Sequence, residues 1–227
     1  MNPRPPEGLP TDCQRLIVVG GSFDPVHRAH IELPDLARRH WHPEDAWLLY
    51  VPTARSPFKD KSPRAGEQDR LAMLRLALSD TQHTALWTDE IDRAREASGP
   101  SYTIETLERL YTAAPWVREV RLLMGVDQAV SFHRWRQPRR ILELASPLVI
   151  LRDADAHQAI AQLDTTGYWS PPELARWRSW IVATPLRGVS ATHIRELLAG
   201  GAQQTELASM LDPKVAEYIF QHGLYGS

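Results

Sequence analysis

Six short apolar runs recur along this 227-residue chain, at residues 16–19, 46–51, 84–88, 120–124, 148–151 and 180–183. Stretches with helical spacing lie between them. A strand covered on both faces reads as a nearly unbroken apolar run, and parallel strands need a crossover helix between them. The alternation therefore predicts an α/β fold, a Rossmann-like open parallel sheet with helices on both faces. Residues 67–78 carry Leu71, Leu74 and Leu78, and residues 102–113 carry Ile104, Leu107 and Leu110, all at core spacing. Shorter helices are expected at 139–144 after Pro138, at 192–198 before Gly200-Gly201, and at 213–222 before Gly223. The length suits one large domain over 14–227, with 190–227 as a small C-terminal helical portion. Residues 1–13 read as a loose, proline-rich arm without the apolar stretch of a secretion signal.

Composition excludes several classes. Hydrophobic residues make up 43% and charged residues 24%, as in ordinary globular domains. The formal net charge of -2 gives no basic surface for a nucleic acid. The single Cys13 allows no internal disulfide and fits a reducing, cytoplasmic setting. No apolar run approaches a membrane span.

The first apolar run leads into Gly20-Gly21-Ser22-Phe23-Asp24-Pro25-Val26-His27-Arg28-Ala29-His30, and Ile31, Leu33, Leu36 and Ala37 then suit one helical face. Strand, glycine-rich turn and helix start together present backbone N–H groups to an anion. His27 and His30, three apart, share a face if both are helical. Two imidazoles at such a place suggest phosphate chemistry. Two solvated surface histidines, or half of a zinc site, are the other readings of the pair. Helical zinc sites prefer histidines four apart with a Glu between, and no cysteine cluster accompanies these.

Other segments carry chemistry in the same style. Ser190 precedes a helix that contains Thr192 and Arg195, a capped start with a hydroxyl and a permanent charge. Gly99-Pro100-Ser101-Tyr102-Thr103 opens another helix. Met124-Gly125-Val126-Asp127 follows a strand, and an Asp there can accept from ribose hydroxyls. Trp135 offers a flat face near Gly125 and Asp127. Lys59 lies in the loop after the second strand, between Phe58 and Asp60. Taken singly, each also reads as a helix cap, a packed aromatic or a solvated loop side chain.

Together these motifs resemble the nucleotidylyltransferase superfamily, marked by a His-x-Gly-His type element after the first strand. The longer string Gly-Gly-Ser-Phe-Asp-Pro-Val-His is similar to that of the bacterial nicotinate mononucleotide adenylyltransferases. The Val189-Ser190-Ala191-Thr192-His193-Ile194-Arg195 segment, the Pro-Ser-Tyr-Thr element and the ending His222-Gly223-Leu224-Tyr225 resemble the same family, so the likeness spans nearly the whole chain. The resemblance implies transfer of the adenylyl group of ATP to nicotinate mononucleotide, with deamido-NAD and pyrophosphate as products. It implies catalytic roles for His27, His30, Lys59 and Arg195. It implies ATP binding by Gly20, Gly21, Ser22, Phe23, Gly125, Asp127, Ser190, Thr192 and Arg195. Asp24, Tyr102, Thr103, Trp135 and Arg136 would face the mononucleotide. Mg²⁺ would ride on the ATP phosphates, with no metal ligands from the protein. ATP and nicotinate mononucleotide would be the partners, without nucleic acid or membrane, and self-association into a homo-oligomer is left open. Two positions depart from the family pattern: Ala29 stands where Gly is usual, and Phe58 where His is usual. Another adenylyltransferase, such as one acting on phosphopantetheine, and a nucleotide sensor without turnover are the rival readings.

Overall fold

The computed structural model describes residues 2–54, 63–96, 100–151, 156–183 and 189–226. Its centre is a sheet of β1 (Arg15–Gly21), β2 (Ala46–Pro52), β3 (Thr84–Leu86), β4 (Glu119–Gly125), β5 (Ser146–Leu151) and β6 (Ile181–Ala183). The helices are α1 (Arg28–Trp41), α2 (Glu67–Leu78), α3 (Asp89–Glu96), α4 (Thr103–Ala113), α5 (Val126–Ser131), α6 (Pro138–Leu144), α7 (Ala156–Asp164), α8 (Pro171–Ser179), α9 (Ala191–Ala199) and α10 (Pro213–Gln221). All pairings are parallel, in the order β3-β2-β1-β4-β5-β6. The chain winds outward from β1 in one direction and from β4 in the other. Such a reversal opens a crevice at the carboxyl ends of the two strands.

The period of two in β1 builds both layers. Leu16 and Val18 join a core with Leu49, Leu122 and α4 residues Ile104, Leu107 and Leu110. Ile17 and Val19 face a second core with Leu48, Ile150, Leu33 of α1, Leu74 of α2, Ile194 of α9 and Ile219 of α10. The C-terminal helices therefore belong to the same packed body as the sheet. The expected doubly covered parallel sheet is what forms.

Four helices escaped the sequence reading. Helix α3 is Asp-Glu-Ile-Asp-Arg-Ala-Arg-Glu, whose one large apolar residue, Ile91, gives no period to detect. Three of its four acids lie in the first turn and both arginines in the last, which suits the helix dipole. Helix α8 did carry a signal: Pro171 at the first position and Ser170 paired with Glu173, whose carboxylate accepts from the Ser170 N–H at 2.8 Å. Helices α5 and α7 are short and weakly patterned.

The N-terminal arm is docked rather than loose. Glu7 exchanges two backbone hydrogen bonds with Leu86, at 2.8 and 3.0 Å. The Trp87 indole donates to the Arg4 carbonyl at 2.8 Å, and the Trp116 indole to that of Pro10 at 3.1 Å. Leu9 and Cys13 are buried. The arm thus covers β3, an edge strand whose free N–H and C=O groups would otherwise invite pairing with another chain. Burial pushes the Cys13 thiol up to about 11, so little thiolate forms near neutral pH.

Candidate active site

A cavity of about 770 Å³ opens where the sheet order reverses. Gly20, Gly21 and Ser22 form one side of it, at the end of β1. A Cβ on Gly21 would meet the Phe23 ring at 3.1 Å, so any larger residue would have to push that buried ring aside. Arg70, from α2, is 1% exposed and donates to the carbonyls of Ser22 at 2.7 Å and Thr53 at 3.0 Å. It ties the turn after β1 to the segment after β2. Burial lowers its guanidinium pKa, with Asp24 opposing the shift. Nothing in the sequence marked Arg70, because a buried arginine looks like any other arginine in an amphipathic helix.

The two histidines meet, though in a different way from that expected. His27 is the extended residue before α1, not a helical one, and it is 4% exposed. Its ring stacks on that of His30 with centroids 3.7 Å apart. The His27 backbone N–H donates to His30 Nδ1 at 3.3 Å. That bond makes Nδ1 an acceptor, so a neutral His30 carries its proton on Nε2. Pro34 in α1 fixes the other end of the residue. It has no N–H for the carbonyl four residues back, that of His30. The buried Tyr50 hydroxyl donates there instead, at 3.1 Å. Burial raises the Tyr50 pKa and keeps it a donor. Neither histidine forms part of the cavity wall proper. Phe23 is also behind the wall, edge-on to His30 at 5.2 Å. Ala29, which stands where the resembled family has glycine, is buried in the same core as Phe23 and Leu33.

Helix α9 supplies Thr192 and Arg195 to the cavity. Arg195 donates to the Thr192 hydroxyl at 3.1 Å and to the Asp24 carbonyl at 2.5 Å. Ser190 is the residue before the helix, but its hydroxyl makes no capping bond, contrary to the expectation from sequence. It lies outside the wall, as do Gly125 and Asp127. A Cβ on Gly125 would stand 2.7 Å from the Asp127 carboxylate, which would have to turn away. Gln128 lines the cavity in their place and accepts from the Gly125 N–H at 3.2 Å.

At the other end, Tyr102 and Thr103 open α4 opposite Trp135 and Arg136. The Arg136 guanidinium lies 4.7 Å above the Tyr102 ring and pairs with Glu105 at 3.0 Å. Trp135 packs on the buried Phe132, with centroids 4.9 Å apart. The first N–H groups of α4 have no intrahelical carbonyl to bond. Asp24 borders the cavity too, with its carboxylate turned to protein donors. Lys59, Phe58, Arg55 and Lys61 lie outside the described residues.

Sequence reasoning missed Glu90 of α3, which is 8% exposed and part of this wall. Its carboxylate accepts from the Thr106 hydroxyl at 2.7 Å. Burial raises its pKa from the ordinary 4.5, opposed by Thr106, Arg93 and Ser101. Between the ordinary value and the raised one, the folded chain binds more protons than the unfolded chain. Stability from this group is thus full below pH 4.5 and declines as pH rises through the raised value. Glu90→Gln keeps an acceptor for Thr106 and never charges. Its melting temperature should exceed that of the wild type at pH 7 and converge with it toward pH 4.5. A thermal melt at both pH values checks this, and equal melting at pH 7 refutes it.

Among the described residues, no group of three or more His, Cys, Asp or Glu side chains is placed to hold a metal ion. No described helix is long and apolar enough to cross a membrane.

A family profile described as cytidylyltransferase-like matches residues 18–197. The chain is 32% identical over 212 residues to a probable nicotinate-nucleotide adenylyltransferase of Herpetosiphon aurantiacus, covering 93% of this chain and 98% of that one. A protein of the same name from Bordetella avium is 34% identical at the same coverage. One from Aquifex aeolicus is 41% identical over 137 residues, covering 60% of this chain and 77% of that one. The fold is similar to that of Plasmodium falciparum nicotinic acid mononucleotide adenylyltransferase complexed with NaAD. The TM-score is 0.69 at 16% identity, over 93% of this chain and 97% of that one. By profile and by relatives matched along nearly their whole length, the chain belongs to the cytidylyltransferase-like family, among its nicotinate-nucleotide adenylyltransferases.

Proposed function

We propose that the chain joins nicotinate mononucleotide to ATP, giving deamido-NAD and pyrophosphate for NAD biosynthesis. The observation that carries this reading is a single cavity with two chemically different ends. One end has a glycine-rich turn and a helix start with Thr192 and Arg195, suited to phosphates. The other has Tyr102, Trp135 and the first N–H groups of α4, suited to a flat ring with an anionic substituent.

The attacking oxygen belongs to the mononucleotide phosphate and is already ionised near neutral pH. The protein need not generate a nucleophile. Its work is to align two anions and to balance charge that builds on the leaving pyrophosphate. Arg195 supplies a permanent charge, and His30 a donor from Nε2. Backbone N–H groups of the turn add further donors. The family resemblance adds Lys59, outside the described residues, as a point charge for the phosphates. Magnesium belongs here as part of the substrate, carried on the ATP phosphates and neutralising part of their charge. The Asp24 carboxylate, held by Arg64, Ala65 and Tyr225, and that of Glu90, held by Thr106, are already engaged with protein groups.

Incubation of the purified protein with ATP and, in parallel, nicotinate mononucleotide, nicotinamide mononucleotide or phosphopantetheine tests this reading. Pyrophosphate release should be fastest with nicotinate mononucleotide, with deamido-NAD identified by mass. Release with phosphopantetheine alone would identify a different adenylyltransferase. No release with any acceptor, despite ATP binding, would identify a nucleotide sensor.

A further inference from the structure

Asp24 joins pieces of the chain that are far apart in sequence. Its Oδ1 accepts from the Tyr225 hydroxyl at 2.8 Å and the Ala65 N–H at 3.0 Å. Its Oδ2 accepts from the Arg64 N–H at 2.8 Å. Its backbone carbonyl accepts from Arg195. The residue is 4% exposed. A buried carboxylate with three donors is held in one orientation, and the loss of any donor leaves part of its acceptor capacity unmet in a low-dielectric setting.

The Tyr225 hydroxyl is the one side-chain donor among those three, and it comes from 201 residues away. Burial, followed by the Asp24 charge, pushes the phenol upward, so it remains a donor at any working pH. The backbone supports the same assignment. Phe23, just before Asp24, has φ 47°, and Tyr225 has φ 63°. Such left-handed conformations cost free energy for non-glycine residues and persist where the surroundings hold them. Both ends of the contact are held in this way. The last turn packs against α9, which carries Arg195, so the contact closes a ring from the glycine-rich turn through α9 to the chain terminus.

We propose that Tyr225 is a positioning residue for the ATP end of the site. It acts through Asp24, fixing the carboxylate that orients residues 64–65 and, through the same residue, the carbonyl that orients Arg195. The role rests on the adenylyl-transfer reading of the cavity. It also explains why Asp24 borders the cavity while its carboxylate faces protein.

Tyr225→Phe removes the hydroxyl and keeps the ring. The KM for ATP should rise about tenfold, as expected when a hydrogen bond to a charged group is lost. The KM for nicotinate mononucleotide should stay within about twofold, because Tyr102 and Trp135 do not touch this network and the Asp24 carboxylate, which the family resemblance assigns to the mononucleotide, is turned to protein donors instead. Calorimetry with a non-hydrolysable ATP analogue should show a similar tenfold loss of affinity. Melting should fall by only a few degrees. Wild-type KM for ATP and wild-type analogue affinity in Tyr225→Phe would overturn the proposal, whatever happens to melting. So would equal weakening of both substrates together with a large drop in melting temperature, which would mark Tyr225 as a structural pin alone. If the wild-type protein bound the analogue and made no deamido-NAD, the enzymatic reading would fail. The analogue affinity of Tyr225→Phe would still decide the role of the tyrosine.

Discussion

Replacing His30 with alanine should lower kcat about a hundredfold, the effect of losing a donor aimed at charge that develops in the transition state, about 3 kcal/mol. The site holds this imidazole from three sides. Its Nδ1 accepts from the His27 N–H, its ring stacks on His27, and its carbonyl is held by Tyr50 because Pro34 cannot hold it. A ring fixed so closely loses little entropy when it meets a phosphate oxygen, so its contribution belongs to the chemical step. His30 is half-buried and its backbone bond to Tyr50 survives the substitution. The melting temperature should therefore drop by only a few degrees. Steady-state rates at saturating ATP and mononucleotide, beside a thermal melt, check both parts. A kcat within about threefold of the wild type would remove His30 from the chemistry.

Much of this architecture is legible in the sequence for a simple reason. Strands buried on both faces must be apolar, and β2 is so along its length and β1 from Leu16 to Val19, whereas β4 alternates, with Glu119 and Arg121 among its apolar residues. The glycine-rich turn is legible because its packing is tight: a Cβ on Gly21 would crowd the buried Phe23 ring. What was hidden depends on tertiary contact. Arg70 and Glu90 are charged residues that the fold buries, and no local pattern separates them from exposed ones. The arm looked loose because its bonds are made by distant Leu86, Trp87 and Trp116. The His pair was placed on one helical face, whereas the helix begins one residue after His27. That single residue changes a shared face into a ring stack. Tyr225 was visible as part of a familiar ending, and its partner Asp24 was visible in the first motif. The link between them spans the chain and emerges only from the fold.

The second large effect concerns the substituent on the pyridine ring. Nicotinate carries a carboxylate and nicotinamide a carboxamide, and the α4 start faces Trp135 and Arg136 across the cavity. Main-chain N–H groups near Thr103 and Arg136 match a carboxylate, which only accepts hydrogen bonds. A carboxamide would turn its oxygen to one donor and set its NH₂ against the other. One buried donor would then go unpaired and a charge-assisted bond would be lost. Together these cost about 2–4 kcal/mol, roughly thirtyfold to a thousandfold in kcat/KM. Glu90 pulls the other way, since a charged carboxylate in the same wall repels nicotinate. Its burial and its bond to Thr106 limit this repulsion, because burial disfavours the charged form and the hydroxyl donates to the carboxylate. Arg136 adds attraction, though its pairing with Glu105 and its exposure make that contribution small. The donors therefore decide, and the acid should be preferred. Measured at saturating ATP, a kcat/KM ratio of acid to amide below about ten would mean that the pocket does not present two donors to the substituent. A larger ratio that grew further in Glu90→Gln would show the two opposing contributions acting on the same group.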